Sequence, residues 1–254
     1  MNAQLRLLQT TSDATVKQTG CLFCVGFDLN ICQAASVAEI ATRRGKPSVA
    51  PHSGHVVPAR RIVWREQDLH DIVPVICDGW AAAIVMLSDG SRQIVSFLLP
   101  GDMISTTLLF DSRAYCQIEA VTDVRYRTFN RTELRALLFK QPRLMEKFSE
   151  AWVDEKARAD QLIVDLGRRT AEERIARLIL NLIDRLSKRG MVRGEPLEID
   201  FPLRQHHIAD ATGLTPVHVS KVLTEFRRNG LINISERSLT LRDPAGFRRV
   251  ANMR

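Results

Sequence analysis

Three of the chain's five cysteines fall in one short stretch, CLFCVGFDLNIC, residues 21–32. Cys21 and Cys24 are spaced C-x2-C, and Cys32 follows after seven more residues. In a reducing compartment such thiols hold a metal or react with oxidants more often than they form structural disulfides. Four chemistries are open. The thiolates can ligate an iron–sulfur centre. With His52 or His55 they would make a Cys3His zinc site, although H-x2-H is shorter than the usual zinc spacing. They can sense oxidation by forming disulfides, or they can be inert. Cys77, in PVICDGW, reads as a buried hydrophobe. Elsewhere no nucleophile–base pair, phosphate-binding loop or paired carboxylates stand in a recognisable motif, so the chain is not expected to be an enzyme.

The rest of the sequence sets what must position these residues. The 254 residues are 45% hydrophobic and 26% charged, the balance of a folded protein. No apolar run reaches the roughly 20 residues a membrane helix needs, and the N-terminus lacks the apolar core of a secretory signal. A cytoplasmic protein without membrane contact is the expectation. Net charge is +7, and nine Lys/Arg against four Asp/Glu lie between Phe201 and Arg254. A compact basic unit at that end suggests a polyanionic partner.

The pattern changes along the chain. Residues 1–33 form a cysteine-bearing segment. Residues 34–140 read as short strands: RRIVW, DIVPVI, AAAIVML, QIVSFLL and CQIEAV, broken by turns at Asp78-Gly79, Asp89-Gly90-Ser91 and Pro100-Gly101-Asp102. Residues 141–167 read as a long helix, from about Arg143 to Leu166. Its seam of Phe148, Trp152, Ala159, Leu162 and Leu166, interrupted by Glu155, could lie on the chain's own strands or pair with a second copy, and its narrowness favours pairing. Gly167 is placed to end it. Thr170-Ala-Glu-Glu173 is a capping box that starts a new helix and a unit spanning 168–254.

Within that unit, LRQHHIADATGLTPVHVSKVLTEFRRNGLI reads as a helix-turn-helix. The first helix spans about Arg204 to Thr212, and Gly213 takes the turn. Thr215 N-caps the second helix, with Pro216 at its first position. Val219, Val222, Leu223 and Phe226 face inward at i, i+3, i+4 and i+7. That leaves Val217, His218, Ser220, Lys221 and Thr224 outward, where a recognition helix meets base edges in the major groove. Arg204 and Thr215 are counted with them as DNA-binding residues, and His206 and His207, which open the first helix, are candidates to touch phosphate. LINISERSLTLRD adds two strands around Glu236-Arg237, a wing. The fold expected is α+β.

With these motifs in hand, the chain resembles the Crp/Fnr family of bacterial transcription regulators over roughly residues 20–250. SDGSRQIVSFLLPGDMI is similar to the family's sensory β-roll, and TAEERIARLILNLIDRL to the start of its DNA-binding domain. The resemblance implies a cyclic-nucleotide-binding-like β-roll, a long dimerisation helix and a C-terminal winged helix-turn-helix. It implies a homodimer on palindromic double-stranded DNA, with RNA polymerase as a further partner. Nucleotide-binding members carry Gly-Glu after the PGD turn and Arg-Ser/Thr-Ala further on. Here Ser105-Thr106 and Arg113-Ala114 stand instead, so a cyclic nucleotide is not the expected ligand. The C-x2-C-x7-C spacing resembles the Fnr branch, which implies a [4Fe–4S] cluster on Cys21, Cys24 and Cys32. The branch's fourth cysteine falls near Arg125 here, and Cys116 is its expected substitute, with Cys77 next. The branch's recognition-helix Glu is replaced by Val217, while Ser220 and Lys221 keep its Ser-Arg/Lys pair.

Overall fold

The computed structural model describes residues 52–66 and 71–253; Cys21, Cys24, Cys32 and the N-terminal segment lie outside them. Seven strands come first: β1 (His52–Val57), β2 (Ile62–Trp64), β3 (Ile72–Asp78), β4 (Ala81–Met86), β5 (Arg92–Leu98), β6 (Gln117–Ala120) and β7 (Val124–Asn130). They pair antiparallel in two sheets, ordered β1-β7-β3 and β2-β6-β4-β5. Each of the five apolar runs picked out in the sequence holds one strand, β2 to β6. Pro74 is tolerated inside β3 because β3 is an edge strand, where a missing ladder donor costs little. At the Asp78-Gly79 turn the backbone comes so close to Asp123 that a Cβ on Gly79 would lie 2.0 Å from its carbonyl oxygen, and φ there is +82°. Only glycine fits.

Strand β4 explains a feature of the sequence. AAAIVM does not alternate apolar with polar, because both faces are covered. Ala81 and Ala83 point into the roll's own core with Val75, Ile118 and Phe129. Ala82 and Ile84 point the other way, into a second core with Ile94, Phe97, Ile179 and Ile183. A strand buried on both sides reads as a continuous apolar run.

Two helices follow: α1 (Arg131–Lys140) and the long α2 (Pro142–Arg168). α1 was not anticipated, although Asn130 caps it by accepting the Glu133 N–H at 3.0 Å. α2 was expected to stop at Gly167. Instead it runs through that residue, and Arg169 forms its C-cap in extended conformation. The start of the next helix, α3 (Ala171–Ser187), is as the sequence indicates. Thr170 Oγ1 accepts the Glu173 N–H at 3.3 Å, and Glu173 Oε2 accepts the Thr170 N–H at 2.9 Å.

The remaining elements are β8 (Glu198–Asp200), α4 (Gln205–Thr212), α5 (Pro216–Arg228), β9 (Ile232–Ser235), β10 (Ser238–Leu241) and α6 (Pro244–Val250). The wing is a three-stranded sheet, β8-β10-β9, one strand more than the sequence suggested. Glu236 and Arg237 turn the hairpin with φ of 46° and 68°, both positive, as a tight two-residue hairpin requires.

α2 has two faces. At about 100° per residue, Leu144, Phe148, Glu155, Arg158, Leu162 and Leu166 share one side. Leu144 and Phe148 are buried there, and the other four are half-buried. The adjoining face carries Trp152, Val153, Lys156, Ala159, Asp160 and Ile163, all exposed; Ile163 is 70% and Trp152 55% accessible. The seam named from the sequence is therefore divided between the two. Phe148, Leu162 and Leu166 turn toward this chain's own domains, while Trp152 and Ala159 lie on the open face.

Candidate nucleic-acid interface and its couplings

The helix-turn-helix is assembled by local signals. Gly213 ends α4 in the left-handed region, φ +66°, and its Cα sits under the long helix, where an added Cβ would lie 3.4 Å from Leu166. Thr215 caps α5 by accepting the His218 N–H at 3.2 Å, with Pro216 at the first helical position. Val219, Val222, Leu223 and Phe226 are buried, so the opposite side of α5 faces out. Thr215, Val217, His218, Lys221 and Thr224 are exposed and Ser220 is half-buried, together forming one continuous outer face. Arg204, also exposed, stands at the N-terminus of α4.

Two details go beyond the sequence reading. The Thr224 hydroxyl is already used, donating to Ser220 O at 2.8 Å and accepting from Arg227 at 3.1 Å. Gln205 and Arg228 border the same shallow hollow as Val217, Ser220 and Lys221. Neither was singled out from the sequence, though Arg228 belongs to the basic last turn of α5.

His207 holds the entry to α4. Its Nδ1 accepts the Arg204 N–H at 3.1 Å, and the ring is buried. Burial, then the positive charge of His206, Arg92, Arg204 and Arg60, pushes its pKa down to about 4 from 6.5. The folded value lies below the unfolded one, so the unfolded chain takes up the proton first. The stability supplied by neutral His207 is complete above about pH 6.5 and is lost as the pH falls toward 4. We expect the melting temperature of His207→Asn, whose Oδ1 can still accept the Arg204 N–H, to fall less than the wild type's between pH 7 and pH 4.5. Parallel melting curves across that window would refute the role.

The DNA-binding unit is fastened to the roll by charge as well as by apolar packing. Asp102, from the PGD turn, meets Arg185 and Arg189 of α3 and its C-terminal extension at 2.5 Å each, and also accepts the Leu99 N–H at 2.7 Å. Burial alone would raise the Asp102 carboxyl, but the adjacent Arg185 and Arg189 charges outweigh it and hold the group below the usual carboxylate range. Arg92 reaches Asp210 at 3.5 Å, and Gln93 donates to Ala211 O at 3.3 Å.

Inside the roll, Glu155 of α2 engages the turn after Pro100-Gly101-Asp102, where Ser105-Thr106 stand in place of the Gly-Glu expected of a nucleotide-binding member. It accepts the Thr106 N–H at 3.1 Å and the Ser105 hydroxyl at 3.3 Å. A carboxylate from the chain itself occupies those donors. Cys116 lies nearby, part-buried against the roll core. Burial, then the charges of Glu155 and Glu66, pushes its thiol up to about 11. Among the described residues, no three His, Cys, Asp or Glu side chains gather where a metal ion could sit. Arg125 pairs with Asp78 at 2.8 Å.

A β-roll joined by a long helix to a winged helix-turn-helix is the build of a signal-responsive DNA-binding protein. Residues 173–250 match the Crp-like helix-turn-helix domain, and residues 55–141 match the cyclic nucleotide-binding domain. The chain is 31% identical over 183 residues to the nitrogen fixation regulation protein FixK of Bradyrhizobium diazoefficiens, covering 72% of this chain and 75% of that protein. It is 30% identical over 176 residues to the transcriptional activator protein FnrL of Cereibacter sphaeroides, covering 67% and 68%. The structure of FixK2 from Bradyrhizobium japonicum superposes with a TM-score of 0.67 at 24% identity, covering 79% of this chain and 96% of that one. The chain belongs to the Crp/Fnr family of transcription regulators. Among the described residues no helix is long and apolar enough to cross a membrane.

Proposed function

We propose that this chain is a homodimeric transcription regulator that reads a palindromic operator with α5 and answers to oxygen or redox state through its N-terminal thiols. The observation that carries the DNA-binding part is the continuous outer face of α5, with Val217, His218, Ser220 and Lys221 over a fully apolar inner face. Lys221 is the side chain on that face best suited to guanine acceptors or phosphate. In gel-shift titrations we expect Lys221→Ala to weaken operator binding by about 1–3 kcal/mol while random DNA changes less. Equal losses on both would reduce Lys221 to a phosphate contact, and wild-type binding without preference for a palindrome would remove the regulator reading. Palindromic sites are read by two-fold dimers, and the exposed apolar face of α2 supplies a surface for the second copy.

The redox part rests on the spacing of Cys21, Cys24 and Cys32, which resembles that of the Fnr branch. A [4Fe–4S] cluster on these thiols would supply an oxygen-labile redox centre. Cys116 is the first candidate for the fourth ligand and Cys77 the next. Anaerobic purification with an absorption spectrum and iron and sulfide analysis tests this. Broad visible absorption with iron and sulfide in equal amounts, lost on Cys24→Ser, supports the cluster. Colourless, metal-free protein removes it and leaves thiol oxidation, another ligand or the protein's own abundance as the signal. A cyclic nucleotide is not part of this reading, because Glu155 already engages Ser105 and Thr106.

A further inference from the structure

Where β5, α2 and α3 meet, a cavity of about 410 Å³ opens between the roll and the DNA-binding unit. Phe97, Leu162, Leu166 and Leu178 give it apolar walls, and Arg158 and Arg185 reach it from α2 and α3. The volume falls in the range of small-molecule sites, about 300–1,000 Å³.

The charge beside this cavity does not balance. Arg158, Arg185 and Arg189 all act on one carboxylate, Asp102, which neutralises one of the three. Among the described residues, buried Arg158 Nε, Arg185 Nε and Arg189 Nη1 have no hydrogen-bond acceptor. Arg185 as a whole is only 7% exposed. A buried donor without an acceptor loses its hydration without return, and a charged one loses more. Of the cavity's other ionic groups, Arg177 pairs with Asp165 at 2.8 Å, Arg174 donates to Arg169 O and Thr212 O, and Asp184 pairs with Lys188 at 3.0 Å, while Arg248 is exposed to solvent. The buried spare donors that line the cavity are thus those of Arg158 and Arg185, at the edge of an apolar chamber.

The geometry points to an effector site for an organic anion, a carboxylate or phosphate head on an apolar body, its head between Arg158 and Arg185 and its body against Phe97, Leu162 and Leu166. Such an occupant touches the sensory roll, the long helix and the DNA-binding unit at once. It would bind most tightly to the arrangement of the three seen here, and so bias the spacing of the recognition helices. The site is separate from the Ser105–Thr106 turn inside the roll and from the N-terminal cysteines, so its failure leaves the redox reading untouched.

Calorimetric titration of the full-length protein with octanoate, octyl phosphate and neutral octanol tests this. Saturable binding of one octanoate or octyl phosphate per chain is expected, with octanol at least tenfold weaker. Arg158→Ala, a half-buried side chain in no ion pair of the described residues, should weaken anion binding at least tenfold while keeping the wild-type melting temperature. Leu162→Trp, which fills the chamber and leaves the charges in place, should do the same. If octanoate alone binds, the head is a carboxylate; if octyl phosphate alone binds, it is a phosphate; either supports the site. No saturable binding of either anion, octanol binding as well as the anions, or undiminished binding in Arg158→Ala overturns it.

Discussion

Asp102→Ala should lower the stability of the whole protein by about 3–5 kcal/mol, the cost of leaving a buried charge without its partner. Asp102 and Arg185 are 12% and 8% exposed at their side chains, so solvent does little to screen the pair. Removing the carboxylate leaves Arg185 and Arg189 facing each other across the interface, and leaves the Leu99 N–H without its acceptor. For a chain of this size that is a fall in melting temperature of roughly 6–20 °C. Asp102→Asn separates the two losses, since its amide oxygen can still accept from Leu99 while the charge is gone. If both variants melt within a degree or two of wild type, the ion pair contributes nothing and apolar packing alone joins the domains.

The second large effect is expected at the open face of α2. Ile163→Glu would place a carboxylate from each copy in the proposed dimer seam, where like charges repel and each loses hydration. Sedimentation should show monomer where the wild type shows dimer. Operator affinity should fall at least about 100-fold, toward the level of sequence-independent binding, because one recognition helix reads only half of a palindrome. Ile163→Ala should do far less. A Glu variant that remains dimeric would move the interface to another surface.

What the sequence revealed and what it hid follow from the distance over which each signal acts. The Thr170 capping box, the Gly213 turn, the Thr215-Pro216 start of α5 and the Glu236-Arg237 hairpin each depend on residues within four positions of one another, and each lies where the sequence indicates. The outer face of α5 follows from helical period alone. Helix α1 also had a local signal, the Asn130 cap followed by Leu134 and Leu138, but Asn130 is at the same time the last residue of β7 and masks the change of element. Asp102 and Glu155 were hidden for another reason. Their partners lie 83 and 87 residues away for Asp102, and 49 and 50 for Glu155. In the sequence, one reads as an ordinary turn aspartate and the other as a polar flaw in an apolar seam. Likewise, one apolar stripe on α2 could not show that two surfaces divide it, because the roll residues it packs against come from strands far earlier in the chain.

The two-sided strand β4 bears on how such proteins can be recombined. Its Ala82 and Ile84 belong to the same core as Ile179 and Ile183, across the boundary that the Thr170 capping box marks. A chimera cut at that boundary, joining this DNA-reading end to another member's sensor, would inherit half of a core and supply the other half from a stranger. Sensor and reader are modular on paper, but here they share an inner wall, and swapping one means rebuilding the residues on both sides of it.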